Sequence, residues 1–152
     1  MRNSIVGILL SVIVLFIGVI LLPSYYQGVI EWRDDANICQ SSARNFVDMV
    51  IDNAGISDRA ISDLNLSLAG CSGTFTYEIY REEKVTNPGT VAGTAEVTWI
   101  YTEITEDTVW HTGDIVTIVI TQQGQNIFQK FSSAFLGQSY NNIEVRLAGM
   151  IR

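Results

Sequence analysis

No acidic residue precedes Glu31, and between Arg2 and Glu31 there is no charge of either sign. That absence removes any water-facing stripe from the first thirty or so residues. Histidine occurs once, at His111, and cysteine twice, at Cys39 and Cys71. These are too few for the four nitrogen and sulfur ligands of a structural zinc site, so neither a metal nor any other cofactor is expected. The glycine-rich Gly89-Thr90-Val91-Ala92-Gly93-Thr94 is not followed by Gly-Lys-Ser/Thr, which excludes a phosphate-binding loop. Positive charge is scarce as well. From Glu31 onward eight basic residues stand against sixteen acidic ones, a formal charge of −8. Such a surface repels nucleic acid and anionic lipid headgroups and argues against either as a partner. No internal repeat and no low-complexity tract occurs.

What is present at the start is a long apolar run. Ile5 to Leu22 is eighteen residues without a charge. As a helix it rises ~27 Å, close to the ~30 Å of a bilayer's hydrocarbon core. A cleaved signal peptide has a shorter core, ~7–15 residues, and then small residues at the cut. Here the core is longer and Leu22-Pro23-Ser24-Tyr25-Tyr26 follows, so a retained anchor is expected rather than a cleaved signal. Tyr25, Tyr26 and Trp32 suit the headgroup layer, where ring and polar tip both find their medium. Arg2 lies before the span, while Glu31, Arg33, Asp34 and Asp35 lie after it. The positive-inside rule then gives a single-pass cell-membrane protein with a cytoplasmic N-terminus and an extracytoplasmic C-terminal domain. Gly7 and Gly18 are not at four-residue spacing, so close helix pairing through that motif is not indicated.

The chain divides accordingly into a membrane-spanning helix, 1–30, and one modest domain, 31–152. Pro23 kinks or breaks the helix between them. Beyond it Trp32, Ala36, Cys39, Ala43, Phe46, Val47, Val50, Ile51 and Ala54 recur at steps of three and four. That spacing predicts an amphipathic helix over about 31–54, with Gly55 as its stop. From Leu64 the period shortens to two. Leu64/Leu66/Leu68, Phe75/Tyr77/Ile79, Ala95/Val97/Trp99/Tyr101, the β-branched run Ile115–Thr121 and Ile143/Val145/Leu147 predict four or five strands in an antiparallel sheet over about 64–152. Asn87-Pro88-Gly89 and His111-Thr112-Gly113-Asp114 read as turns. The sheet's dry face and the helix's apolar stripe cover one another most economically. The expected fold is therefore α+β: a long N-terminal helix packed on a small antiparallel sheet, with Phe46, Val47, Val50 and Trp99 in the shared core. Gly124 to Gln138 reads as a short helix or an apolar loop, with another subunit as one candidate for what it faces.

Catalytic candidates are few. His111 beside Asp114 could be an acid–base pair, but a turn before a strand explains both residues. Glu82-Glu83 and Glu106-Asp107 could bind calcium, yet they lack the alternating oxygen ligands of a known loop, and solvated turns explain them better. Outside the cytoplasm Cys39 and Cys71 are expected to form a disulfide. Two buried free thiols are the alternative.

The layout resembles type IV pilins and pseudopilins, and more closely the TadE-like minor pilins of tight-adherence systems. The span Ile5–Leu22, the helix segment Cys39-Gln40-Ser41-Ser42-Ala43-Arg44-Asn45-Phe46 and the strand Gly113-Asp114-Ile115-Val116-Thr117-Ile118-Val119-Ile120 carry the resemblance. It implies an anchor and assembly helix that includes Ile5, Ile8, Leu15, Phe16, Leu22 and Pro23. It also implies other pilin-like subunits, a membrane assembly platform and the lipid bilayer as partners, and the cell surface or a pilus as location. The chain departs from pilins at one place. They carry a glutamate five residues into the mature chain, whereas the residue five positions after Gly7 is Val12. The expected subunit is therefore unprocessed, membrane-resident, and minor or tip-type. Two functions follow: a structural, non-enzymatic pilin-like subunit of a pilus or secretion apparatus, or a single-pass surface protein whose β-domain binds a ligand or partner. No small-molecule substrate is expected for the first.

Overall fold

The computed structural model of the chain describes residues 2–88, 95–104, 108–137 and 139–152, with side chains from residue 5 onward except at 84–88, 95–99, 101 and 103. Three helices come first: α1 (Arg2–Phe16), α2 (Leu22–Asp52) and α3 (Asp58–Ala69). The strands are β1 (Thr74–Pro88), β2 (Ala95–Glu103), β3 (Ile115–Gln123) and β4 (Glu144–Met150), with a short helix α4 (Ile127–Phe131) before β4. The fold is α+β, as the hydrophobic periods imply.

Pro23 does not break the helix. A π-helical turn, Ile17–Leu21, joins α1 to α2, and the Leu22 N–H bonds back to the Ile17 carbonyl. Proline has no N–H and its ring collides with the carbonyl four residues back. One wide turn shifts the hydrogen-bond register just before it and so keeps the helix continuous. The Ser24 hydroxyl donates to the Ile20 carbonyl at 2.8 Å, and Ser11 donates to Gly7 at 2.9 Å. Both hydroxyls are satisfied within the helix, as an apolar surrounding requires.

The chain forms two compact units, Met1–Asp34 with Gln125–Asn141 and Asp35–Gly124 with Asn142–Arg152. The second holds the sheet, in strand order β2-β1-β3-β4, with all three pairings antiparallel. Phe75, Tyr77 and Ile79 of β1 lie opposite Gln122, Ile120 and Ile118 of β3. Val145, Leu147 and Gly149 of β4 in turn face Ile120, Ile118 and Val116. This one pleat of the sheet meets α2. Cys39, Ala43, Phe46, Val47 and Val50 on the helix and Val116, Ile118 and Ile120 on the sheet are all buried. Helix and sheet approach closely at Gly149, where a Cβ would sit 2.5 Å from Val47 Cγ1 and 2.6 Å from Ile51 Cδ1. Gly149→Val should therefore destabilise by ~1–3 kcal/mol through overpacking, read as a lower urea midpoint. The Trp99 side chain, expected in this core, lies outside the described residues; its backbone pairs with Lys84.

Four local expectations are corrected. Leu64, Leu66 and Leu68 belong to helix α3 and not to a strand. Ala60, Leu64 and Leu68, four apart, are buried, whereas Leu66 is exposed. Ser57 caps α3 by accepting the Ala60 N–H at 3.2 Å, so the sheet begins at Thr74. Glu82-Glu83 and Asn87-Pro88 lie inside the long strand β1 rather than in turns. The glycine-rich stretch from Gly89 to Thr94 and the pair Glu106-Asp107 lie outside the described residues. The end of α2 also differs: Ala54, at φ 48°, takes the left-handed position assigned to Gly55.

In the first unit α4 opens with a capping box. Asn126 Oδ1 accepts the Gln129 N–H at 2.8 Å, and Gln129 Oε1 accepts the Asn126 N–H at 2.9 Å. A π-helical turn, Ser132–Leu136, continues it and ends at left-handed Gly137, φ 63°. Of the segment 124–138, residues 127–136 thus form a short helix. It packs on α2 through rings: Phe128 lies 5.2 Å from Tyr25, and Tyr140 lies 5.7 Å from Trp32.

Candidate functional site

An exposed apolar helix, a thiol corner and a polar clasp are the candidate features among the described residues. The first is the N-terminal helix. Every large apolar side chain from Ile5 to Leu22 except Leu21 is exposed, including Ile5, Ile8, Leu15, Phe16 and Leu22 of the expected anchor. An apolar helix with no covered stripe is not a core helix, because a core helix buries at least one face. One charge-free span of this length is compatible with a single-pass membrane anchor.

The second is a thiol corner in the other unit. Cys39 lies on the buried stripe of α2, four residues after Asp35, and Cys71 follows the end of α3. Both are free thiols in this structure, and Cys39 is hydrogen-bonded to Cys71. The expected bridge is therefore not formed here, though its two sulfurs are neighbours. Asp35 builds the corner. Its buried carboxylate accepts from the Ser72 N–H at 2.9 Å, the Ser72 hydroxyl at 2.7 Å and the Gly73 N–H at 3.0 Å. Three donors hold a charge that burial alone would expel. They fix the residues after Cys71 against the turn of helix that carries Cys39. Cys71 Sγ also reaches the Ser67 carbonyl at 3.9 Å.

Burial pushes the Cys39 thiol up to about 12, with the neighbouring Cys71 and Asp35 adding to the rise. Burial first and Asp35 second raise Cys71, while the Cys39 hydrogen bond lowers it. The sign of the stability effect follows. A folded-state value above the unfolded one favours the neutral thiol in the fold, so that contribution is complete below about 9 and is lost as pH climbs toward about 12. Reduced protein should lose urea stability between pH 9 and pH 11, and Cys39→Ala should flatten that slope.

The third is a polar clasp at the start of β3. Asp114 is buried and its Oδ2 accepts from Arg81 Nε at 2.7 Å and from the His111 N–H at 2.8 Å. Arg81 also reaches Glu83 at 3.3 Å. The exposed His111 ring lies 3.1 Å from Arg81 Nη2 and 3.8 Å from Asp114. His111 and Asp114 do meet, in the expected turn, but the carboxylate is committed to Arg81 and to the backbone. Nearby, Glu82 accepts the Thr117 hydroxyl at 2.8 Å, a hydrogen bond across the strands.

A groove of about 300 Å³ runs between α2 and α3, with Asp48, Asp52 and Asp63 among its lining residues. Among the described residues no three histidine, cysteine or carboxylate side chains converge as a metal site. Two functional positions were missed in the sequence, Asp35 and Arg81. Asp35 had a legible signal, because it is four residues before Cys39 on the same stripe and a stripe position with a charge needs partners. Arg81, amid glutamates in β1, had none without the sheet register. Compared with family models, curated proteins and solved structures, the chain matches none.

Proposed function

We propose that the protein is a structural, non-enzymatic subunit anchored in a membrane by its first helix, pilin-like in plan, that takes part in assembling a pilus or secretion apparatus. The observation that supports this reading is a single helical run, Ile5–Asp52, in which an exposed apolar stretch leads directly into the buried stripe of a small α+β domain. Its partners are then other pilin-like subunits and a membrane assembly platform, and the TadE-like minor pilins are the nearest in layout. The N-terminus is cytoplasmic and the domain extracytoplasmic. Val12, apolar where pilins place the assembly glutamate, removes the usual ion pair with a neighbour's amino terminus, although packing between helices remains open to it. The subunit is accordingly a minor or tip-type one. Immunolabelling of sheared filaments, with N-terminal sequencing from membranes, tests this. Labels at one end or at rare positions and an intact N-terminus support it. Labels along the whole filament on a chain beginning at Ile8 contradict it, and so does a detergent-extracted monomer that enters no assembly and holds a ligand.

An oxidising exterior would convert the thiol corner into a Cys39–Cys71 disulfide. It would close a loop of about 33 residues, for which the chain-entropy model gives ~3–4 kcal/mol. Peptide mapping without reductant, on protein from intact cells, should recover the linked peptides. Two alkylatable thiols in that sample would defeat the bridge.

A further inference from the structure

Beyond its span, we infer that the chain touches the bilayer a second time, through the exposed apolar residues of α4 and the π-turn after it: Ile127, Phe135 and Leu136. The inference rests on the reading of Ile5–Leu22 as a membrane span. Ile127 is 87% exposed, Phe135 74% and Leu136 52%, three large apolar side chains within ten residues. Their neighbours place them in depth. Phe128 and Phe131 lie 5.2 Å and 6.2 Å from Tyr25, and Phe135 stacks on Phe131 at 4.7 Å. Tyr140, at the far end of the segment, packs on Trp32, seven residues further along α2. The rings therefore line α2 from Trp32 back to Tyr25, with Phe128 and Phe131 both at Tyr25, beside the end of the apolar run.

Gly28 fixes this seat. A Cβ there would lie 2.6 Å from Phe128 Cβ, so only glycine admits the segment so close. Tyr25 and Gly28 are three and six residues past Leu22, ~4.5–9 Å along the helix axis. The headgroup layer is ~5–8 Å thick on each side of the hydrocarbon core. The ring cluster thus sits at headgroup depth, with the exposed Phe135 stacked on its member Phe131. Charge agrees with this occupant. In a chain of net charge −7, residues 115–143 contain no acid, and the only charge among them is the exposed Lys130. Apolar anchors, aromatic rings and one cation without acids match an element lying in the membrane interface. A second copy of this chain is the competing occupant, but neither the depth of the patch nor its lack of acids calls for one.

The test uses the full chain in phosphatidylcholine–phosphatidylglycerol vesicles, with the photoreactive p-benzoylphenylalanine placed singly at four positions. Leu9 reports the span, Phe135 and Ile127 report the proposed contact, and the exposed Leu66 of α3 is the control. The first three positions should each yield, on irradiation, an adduct heavier by one phospholipid, and Leu66 should yield none. Lipid adducts at Leu9 together with none at Phe135 and Ile127, or with chain-to-chain adducts there, would overturn this inference and leave the span standing. Absence of lipid adducts at Leu9 would overturn the span itself, and the inference with it.

Discussion

Phe46→Ala should lower unfolding stability by ~3–5 kcal/mol, the usual range for a truncated core aromatic. Phe46 is fully buried, on the stripe of α2 between Ala43 and Val50, in the layer that also buries Ile118 and Ile120 of β3. Neighbours of that kind are β-branched and anchored in a sheet, so they cannot collapse into the void, and the cavity term adds to the lost transfer energy. Asp48→Ala, two residues along but exposed, should stay within ~0.5 kcal/mol. Urea titrations of the full chain in detergent micelles, followed by tryptophan fluorescence, separate the two. Equal midpoints for the two variants would mean that the helix stripe is not the core.

Asp114→Ala should cost about 3 kcal/mol, the lower part of the range for breaking a buried pair, because Arg81 keeps a second carboxylate. The deleted group accepts two hydrogen bonds, from Arg81 Nε and from the His111 N–H. The Arg81 side chain is only 12% exposed, so water does not readily replace what is lost, and Glu83 at 3.3 Å compensates in part. The corner also closes the sheet's end, since the Ile151 N–H donates to the Asp114 carbonyl at 2.8 Å and the Gly113 N–H to the Ile151 carbonyl at 2.9 Å. Asp114→Asn keeps an oxygen for both donors and should cost about half as much, given that bonds to charged groups are roughly twice as strong as neutral ones. The double variant Arg81→Met/Asp114→Ala should recover part of the loss, because it removes the stranded cation. An Asp114→Ala protein with an unchanged urea midpoint would show the clasp to be energetically idle.

The apolar span was legible from its uninterrupted composition, and the stripe from Cys39 to Val50 and the strands around Ile118 and Val145 from periods that burial enforces directly. Three things were not. Leu64, Leu66 and Leu68 satisfy a period of two, and Ala60, Leu64 and Leu68 satisfy helical spacing equally well. The decision falls to Ser57, whose capping of Ala60 was the overlooked signal. The length of β1 was hidden by Glu82-Glu83 and Asn87-Pro88, which look like turn residues. In the fold Thr117 and Arg81 supply the glutamates with partners across and along the sheet. The site was legible in its members but not in its organiser. Both cysteines could be named in advance, whereas Asp35, which holds Ser72 and Gly73 next to Cys71, showed in sequence only its place on the stripe four residues before Cys39 and not the partners it holds. Long-range hydrogen bonds to backbone N–H groups leave no periodic trace.

Whether one helix anchors the domain at the outer face of a membrane is tested most directly by protease treatment of intact cells, followed by mass analysis of what remains in the membrane. Protease added outside should remove the domain beyond Glu31 and leave a membrane-bound fragment containing Ile5–Leu22. A domain that is cut only after the cells are broken, or a chain that high salt washes from the membrane whole, would contradict that placement.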